Sequence, residues 1–390
     1  MHATRWAGGA RTTLAACTGA YFAVRVGQIV VSPALPEITA ALGVSTAAAG
    51  GALTAMWAAY AAMQLPSGVL VGRIGERRTV LASLAVVALS SVLVAAAPSY
   101  LGFFLALAVL GAGAGLYYNA AAALLATRLS GVGTALGLHK LGSRGAGLLA
   151  PALATAALVP FGWRAVPLTA VVVALVGLGV VLAFVDATPP TRQESGTVIG
   201  DAVAPLSDPV VARTTVLTAA GEFVEQASMS FLPTALVAYH GLGIAAAGGL
   251  FSAFFAASAV AGTAMGWLSD RTTPALSTFL TVLAGVVGFG LLARGGATAT
   301  PLLAGVALVG VATGWTAPLQ SRVLDALPDG GRGPGFGAFR TVYVLVGSLG
   351  SIVVGTLATV AGWPVALGFL AALLAGMGLW LVGEQVFARR

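Results

Sequence analysis

The sequence predicts an all-α polytopic membrane protein: twelve transmembrane helices in two pseudo-symmetric six-helix bundles. Three observations predict it. The 390 residues are 58% hydrophobic and only 8% charged, with a mean hydropathy of +0.97, whereas soluble domains carry about 25% charged residues. Apolar runs of bilayer-crossing length recur from Leu14 to Val386, and roughly 20 residues suffice to cross a membrane. The order of motifs in the first half returns in the second at a nearly constant spacing. The runs are continuous rather than alternating, which excludes the strands of a membrane barrel.

Taken in order, the runs of the first half predict spans at 13–35, 47–71, 79–97, 101–126, 132–159 and 164–185. Those of the second half predict spans at 212–237, 245–268, 275–293, 299–323, 335–360 and 364–386. Short stretches rich in Gly, Pro and charge separate them, as expected of loops. Arg5 and Arg11 before the first run resemble a signal peptide. Arg25 interrupts that run, however, and the run reads as a span that stays in the membrane. In the fourth span "GAGAG" at 111–115 follows no strand, so it reads as close helix packing rather than a dinucleotide loop. Residues 187–211 form the longest polar, Pro-bearing segment. They divide the chain into a first bundle (1–186), a cytoplasmic linker (187–211) and a second bundle (212–390).

The net charge of +7 is explained by position. With the N-terminus inside, the inner segments and adjoining helix ends hold Arg5, Arg11, Arg73, Arg77, Arg78, Arg128, Lys140, Arg192, Arg213, Arg271, Arg322, Arg332, Arg340, Arg389 and Arg390. The outer loops hold only Arg164 and Arg294. Fifteen against two is a positive-inside asymmetry, which predicts a multi-pass protein of the plasma or inner membrane with both termini cytoplasmic. No nucleic-acid partner is needed to explain the charge. Cys17 is the only cysteine and the three histidines are scattered, so no disulfide, metal site or cofactor is expected. No nucleophile triad, phosphate loop or ATP-binding domain is present in the sequence, which argues against an enzyme and for energy drawn from a gradient.

The halves match in detail. Pro36 and Pro233 lie 197 apart; Gly68 and Arg73 lie 198 from Gly266 and Arg271. Gly137 and Lys140 lie 200 from Gly337 and Arg340, as do Gly162–Trp163 from Gly362–Trp363. Two like halves around a midplane site is the plan of many secondary transporters.

Between the second and third spans, "GVLVGRIGERR" (Gly68–Arg78) resembles the signature of the major facilitator superfamily, GxxxDRxGRR. The second half repeats it as "GWLSDR" (Gly266–Arg271), and "LPEITAALGVS" before the second span is similar to many prokaryotic members. The resemblance implies the fold of that family, with a gating motif at Gly68, Arg73, Gly75, Arg77, Arg78, Gly266, Asp270 and Arg271. Gly72 stands where the first-half motif has an aspartate. The expected latch is therefore Asp270 against the start of span five, near Gly131–Thr134, where a positive helix dipole would attract it. Arg77 and Arg78 serve equally as positive-inside anchors.

Arg25 is about eleven residues into its span, ~16 Å at about 1.5 Å per residue, near the middle of a ~30 Å core. A charge at that depth is costly unless it faces protein or water. Arg144 of span five and Glu222 of span seven fall at the same level, with Lys140 and with Glu225 and Gln226 on their respective faces. The 197-residue offset makes Arg25 and Gln28 the mates of Glu222 and Glu225. The resemblance implies that spans one, four, seven and ten line a central cavity, so that Arg25 would look toward Glu222. One reading is a structural ion pair tying the halves together. The functional reading makes Arg25, Gln28, Asn119 and Arg144 substrate-binding, with Arg25 holding an anion by a forked pair of hydrogen bonds. Glu222 or Glu225 would then carry the coupled proton. Gln64 and Gln320 read as interhelical glue, and His139 as an interfacial residue.

The expected function is secondary active transport of a small solute by alternating access, proton-coupled and directed at an organic anion. The expected partners are that solute, protons and the lipid bilayer, with the chain acting as a monomer. The alternative is proton-coupled efflux of amphipathic or cationic compounds, bound by Glu222 and Glu225. Against it, span four lacks the arginine before its Gly-rich stretch, and "GAGLLAP" (Gly145–Pro151) has Ala150 where an antiporter signature has Gly. A membrane sensor or scaffold has no evident extramembrane domain to receive a signal.

Overall fold

Every regular segment in the computed structural model, which describes residues 8–129, 132–187, 203–296, 298–327 and 332–387, is helical. Ten segments are long and apolar enough to cross a membrane. The other two of the twelve expected spans are present but altered. Span two is split into α3 (Thr46–Ala62) and α4 (Gln64–Ile74), so neither piece alone has crossing length. Span seven is intact, but Glu222, Glu225, Gln226 and several hydroxyl residues lower its hydropathy. The all-α membrane architecture read from the sequence therefore holds, while polar content masks individual spans.

The chain separates into two compact units, Met1–Leu42 with Ala55–Ser195, and Gly43–Thr54 with Gly196–Arg390. The first contains α1 (Gly8–Ile29), α2 (Leu35–Leu42), the later part of α3, and α4. It continues through α5 (Glu76–Ala96), α6 (Tyr100–Gly115), α7 (Tyr117–Arg128), α8 (Val132–Phe161) and α9 (Ala165–Phe184). The second contains α10 (Pro209–Ala238), α11 (Ile244–Arg271), α12 (Pro274–Leu292) and α13 (Ala299–Ala312). It ends with α14 (Thr316–Ala326), α15 (Arg332–Val360) and α16 (Trp363–Phe387). It also holds the start of α3, where the Thr54 hydroxyl donates to Ser348 O at 2.8 Å and the Ala47 amide donates to Thr359 Oγ1 at 3.0 Å.

Small residues set the close approaches within each unit. With little hydrophobic drive between helices in lipid, packing depends on backbones meeting. On α6, a Cβ at Gly111 would strike the Met56 carbonyl and one at Gly113 would strike Val86. On α13, a Cβ at Gly310 would strike the Phe254 carbonyl. Gly111 and Gly310 are 199 apart and Met56 and Phe254 are 198 apart, so the two units repeat the same crossing. The "GAGAG" stretch is thus a packing surface. The repeated Gly-Trp pairs have an equally local cause: Gly162 and Gly362 open the turns before α9 and α16 at φ of +74° and +84°, a region that favours glycine.

Candidate functional site

In the first unit, Tyr21, Arg25 and Gln28 fall at i, i+4 and i+7 on α1, one face of the helix. Arg25 Nη1 donates to Gln28 Oε1 at 2.9 Å. The guanidinium lies 5.4 Å from the ring centroid of Trp57 on α3, and Trp57 meets Tyr60 edge-on at 5.9 Å. A weakly hydrated guanidinium over an aromatic face is one way to keep a cation at this depth. The arrangement leaves donors over: Arg25 Nε and the Nε2 of the fully buried Gln28 have no hydrogen-bond partner among the described residues. Each buried unmet donor costs about 1–3 kcal/mol.

Span four breaks at Leu116, between α6 and α7. Ser67 Oγ donates to Leu116 O at 2.7 Å and Ser83 Oγ to Gly113 O at 2.7 Å, satisfying carbonyls at the break as the membrane interior requires. Asn119 Nδ2 donates to the Gln64 backbone carbonyl at 2.6 Å, tying α7 to the first residue of α4. Gln64 itself is buried with Nε2 unpartnered. The expected roles are thus exchanged: Asn119 acts as the interhelical tie, and the Gln64 amide is the free donor. Tyr117 donates its hydroxyl to the Cys17 carbonyl on α1.

Span five carries His139 and Arg144. His139 is fully buried against Tyr21, Tyr117 and Tyr118. The reason lies on α8, where a Cβ at Gly142 would strike Thr18 O and one at Gly145 would lie 3.5 Å from Phe22. His139 is one turn from Gly142 and shares the face pressed onto α1. Arg144 is two residues from Gly142, about 200° around the helix, and is exposed. It therefore lies off the face that meets α1.

In the second unit, Glu222 lies along α15 so closely that any side chain at Gly347 would clash with it. Gln226 Nε2 donates to Glu222 Oε1 at 2.6 Å, and the buried Gln226 Oε1 is left without a partner. Glu225 is half-buried on the same helix. Gln320 Nε2 donates to the Tyr343 hydroxyl at 3.2 Å, consistent with interhelical glue. A second helix break, at Thr313–Trp315, lies 197 to 199 residues after the break at Leu116.

The signature segments have visible roles of their own. Gly75, at φ +88° and ψ 160°, joins α4 to α5, a backbone state open to glycine. Arg77 Nη2 donates to the Leu182 carbonyl at 2.9 Å, in the last turn of α9, where positive charge suits the helix dipole. Arg73 and Arg78 are exposed, and no atom crowds a Cβ placed at Gly68. Arg271 covers the Trp267 ring at 3.9 Å, Gly266 approaches Ala317, and Asp270 is exposed. The expected partner of Asp270, the start of span five near Gly131–Thr134, begins with a residue that lies outside the described ones.

Comparison with known proteins adds the following. The sequence profile of the Major Facilitator Superfamily matches residues 17–350. A search among curated proteins finds no match. Among solved structures, a mutant of nucleoside transporter NupG superposes with a TM-score of 0.84 at 12% identity, over 96% of this chain and 99% of that one. A bacterial homolog to human lysosomal transporter Spinster, in an inward-facing and occupied conformation, gives 0.78 at 15% identity over 95% of each chain. A POT family transporter in complex with thioalcohol conjugated peptide gives 0.78 at 11% identity, over 97% of this chain and 96% of that one.

Proposed function

This chain belongs to the major facilitator superfamily, and from that premise we propose that it is a proton-coupled secondary transporter of a small organic anion. That it is a multi-pass membrane transporter and not an enzyme follows from the family; the anion and the proton are our reading. One observation carries the anion: the unmet donors of Arg25 and Gln28, side by side on α1. Orphaned donors call for a ligand that accepts hydrogen bonds, and a guanidinium calls for a negative one. A carboxylate on Arg25 would take up the free Nε–H while Gln28 supplies a neighbouring amide.

The proton is assigned to Glu222 and Glu225, side chains that can alternate between charged and neutral forms. Alternating access would carry the anion and proton together, with both termini and the 187–211 linker cytoplasmic in the cell membrane and the chain acting as a monomer. A second reading, proton-coupled efflux of cationic compounds, is favoured by the second unit alone, where an orphaned acceptor, Gln226 Oε1, lies beside two glutamates.

The test is uptake by the purified protein in proteoliposomes, with radiolabelled benzoate, lactate, succinate and a quaternary ammonium cation, each with and without a pH gradient. Acid-driven uptake of an anion is expected. Arg25→Lys should raise its half-saturation about tenfold or more, because a point ammonium lacks the fork and ~1.4 kcal/mol is a factor of ten. Glu222→Gln should keep exchange of the anion and lose its acid-driven accumulation. Transport of the cation alone would replace this reading with the second.

A further inference from the structure

His139 is a buried histidine of the first unit that the proposed anion site leaves unused. It is 0% exposed, and neither ring nitrogen has a hydrogen-bond partner among the described residues. Its ring is stacked on Tyr21 at 4.8 Å and on Tyr117 at 5.7 Å, with Tyr118 tilted against it at 6.2 Å. A neutral imidazole gains only apolar contact here, while its donor and acceptor both go unmet.

The second unit shows what packing alone requires at this place. The 200-residue offset that pairs Lys140 with Arg340 pairs His139 with Phe339, and the 198-residue offset pairs Tyr117 with Trp315. Phe339 is also 0% exposed. It lies 5.0 Å from Tyr343, which meets Trp315 edge-on at 6.2 Å. A phenyl ring therefore fills the equivalent aromatic cluster. What the imidazole adds is a pair of nitrogens that can take a proton.

We propose that His139 is a proton-binding site of the first unit, filled and emptied during the transport cycle. The proton joins the lone pair of the unprotonated ring nitrogen and leaves again to water; no other bond changes. Three tyrosine faces within or near the ~6 Å range of cation–π attraction offset part of what burial costs the imidazolium. The neighbouring charges oppose it as well. Lys140 follows on α8, Arg144 lies further along, and on α1 Arg25 sits one turn beyond Tyr21; the remaining groups facing the ring are the Tyr21, Tyr117 and Tyr118 phenols, with Cys17 beyond Tyr117. An anion at Arg25 would offset that repulsion, so proton and anion would favour each other's binding, by the same factor in both directions. This mutual effect rests on the anion reading of Arg25; the proton site itself does not.

The chain has three histidines, so ¹⁵N-histidine labelling of the full-length protein in lipid nanodiscs gives a readable titration, with His139→Phe identifying the signal. Between pH 8 and 5 the His139 resonance should pass from neutral imidazole to imidazolium. Wild type should bind about one proton more than His139→Phe, and the variant should unfold at the same temperature or higher at pH 8. A His139 ring that stays neutral to pH 5 while the protein remains folded overturns the proposal, whether or not the variant folds. Benzoate, lactate or succinate should shift the His139 midpoint upward. A midpoint indifferent to all three, in a ring that does titrate, keeps the proton site and counts against the anion at Arg25.

Discussion

Gly111 and Gly137 are both helical glycines in different surroundings. A Cβ at Gly111 would strike the Met56 carbonyl, whereas nothing lies within 4 Å of one at Gly137. Gly111→Ala should therefore lower the unfolding temperature in detergent by several degrees, since overpacking costs about 1–3 kcal/mol. Gly137→Ala should be neutral or slightly stabilising; equal effects would refute the packing argument. His240, in the loop after α10, accounts for part of the pH dependence. Burial lowers its pKa below the ordinary 6.5, against the opposing effect of its hydrogen bond to Leu292 O at 3.0 Å. A lowered value means the unfolded chain takes up the proton first as pH falls. The stability is thus present above about pH 6.5 and is lost as pH drops toward the folded pKa. Between pH 7.5 and 5, wild type should lose more thermal stability than His240→Gln; parallel losses would remove His240 from the account.

The breaks in spans four and ten belong to the elements. Hydropathy reads each as one continuous run, because apolar composition is the same on both sides of Leu116 and of Thr313–Trp315. The break in span four persists because hydroxyls from other helices meet the freed carbonyls: Ser67 at Leu116, and Ser83 at Gly113. Ser67→Ala should cost on the order of 0.6 kcal/mol, the average for interhelical bonds in a membrane, and raise amide exchange at 116–119. Thr263 also donates to a carbonyl, that of Ala259, but on its own helix and exposed, so Thr263→Ala should leave exchange and stability unchanged. If the two substitutions act alike, the serine ties do not hold the break.

The whole chain is a duplication, and its orientation is a claim about the whole chain. The fifteen-to-two distribution of Lys and Arg predicts the linker inside and the loop before α13 outside. In a Cys17→Ala background, Ser195→Cys and Thr298→Cys should label from opposite faces of sealed vesicles. Labelling from the same face would refute this topology.

The sequence by itself determined the membrane class, the order of the spans, the duplication and the placing of a charge, Arg25, within the first span. Each of these follows from composition along one helix, because hydrocarbon admits few charges and every crossing segment must satisfy its backbone internally. It also paired Gly162 with Gly362, and the structure adds that both sit at positive φ. The tertiary structure decided the rest. It alone shows that Asn119 ties helices while the Gln64 amide stays free, that Arg144 turns off the α1 face, and that His139 is sealed among tyrosines. Lys140 exposed and His139 buried are adjacent in the chain; which of them faces α1 depends on where Gly142 lets two backbones meet, and hydropathy carries no record of that contact.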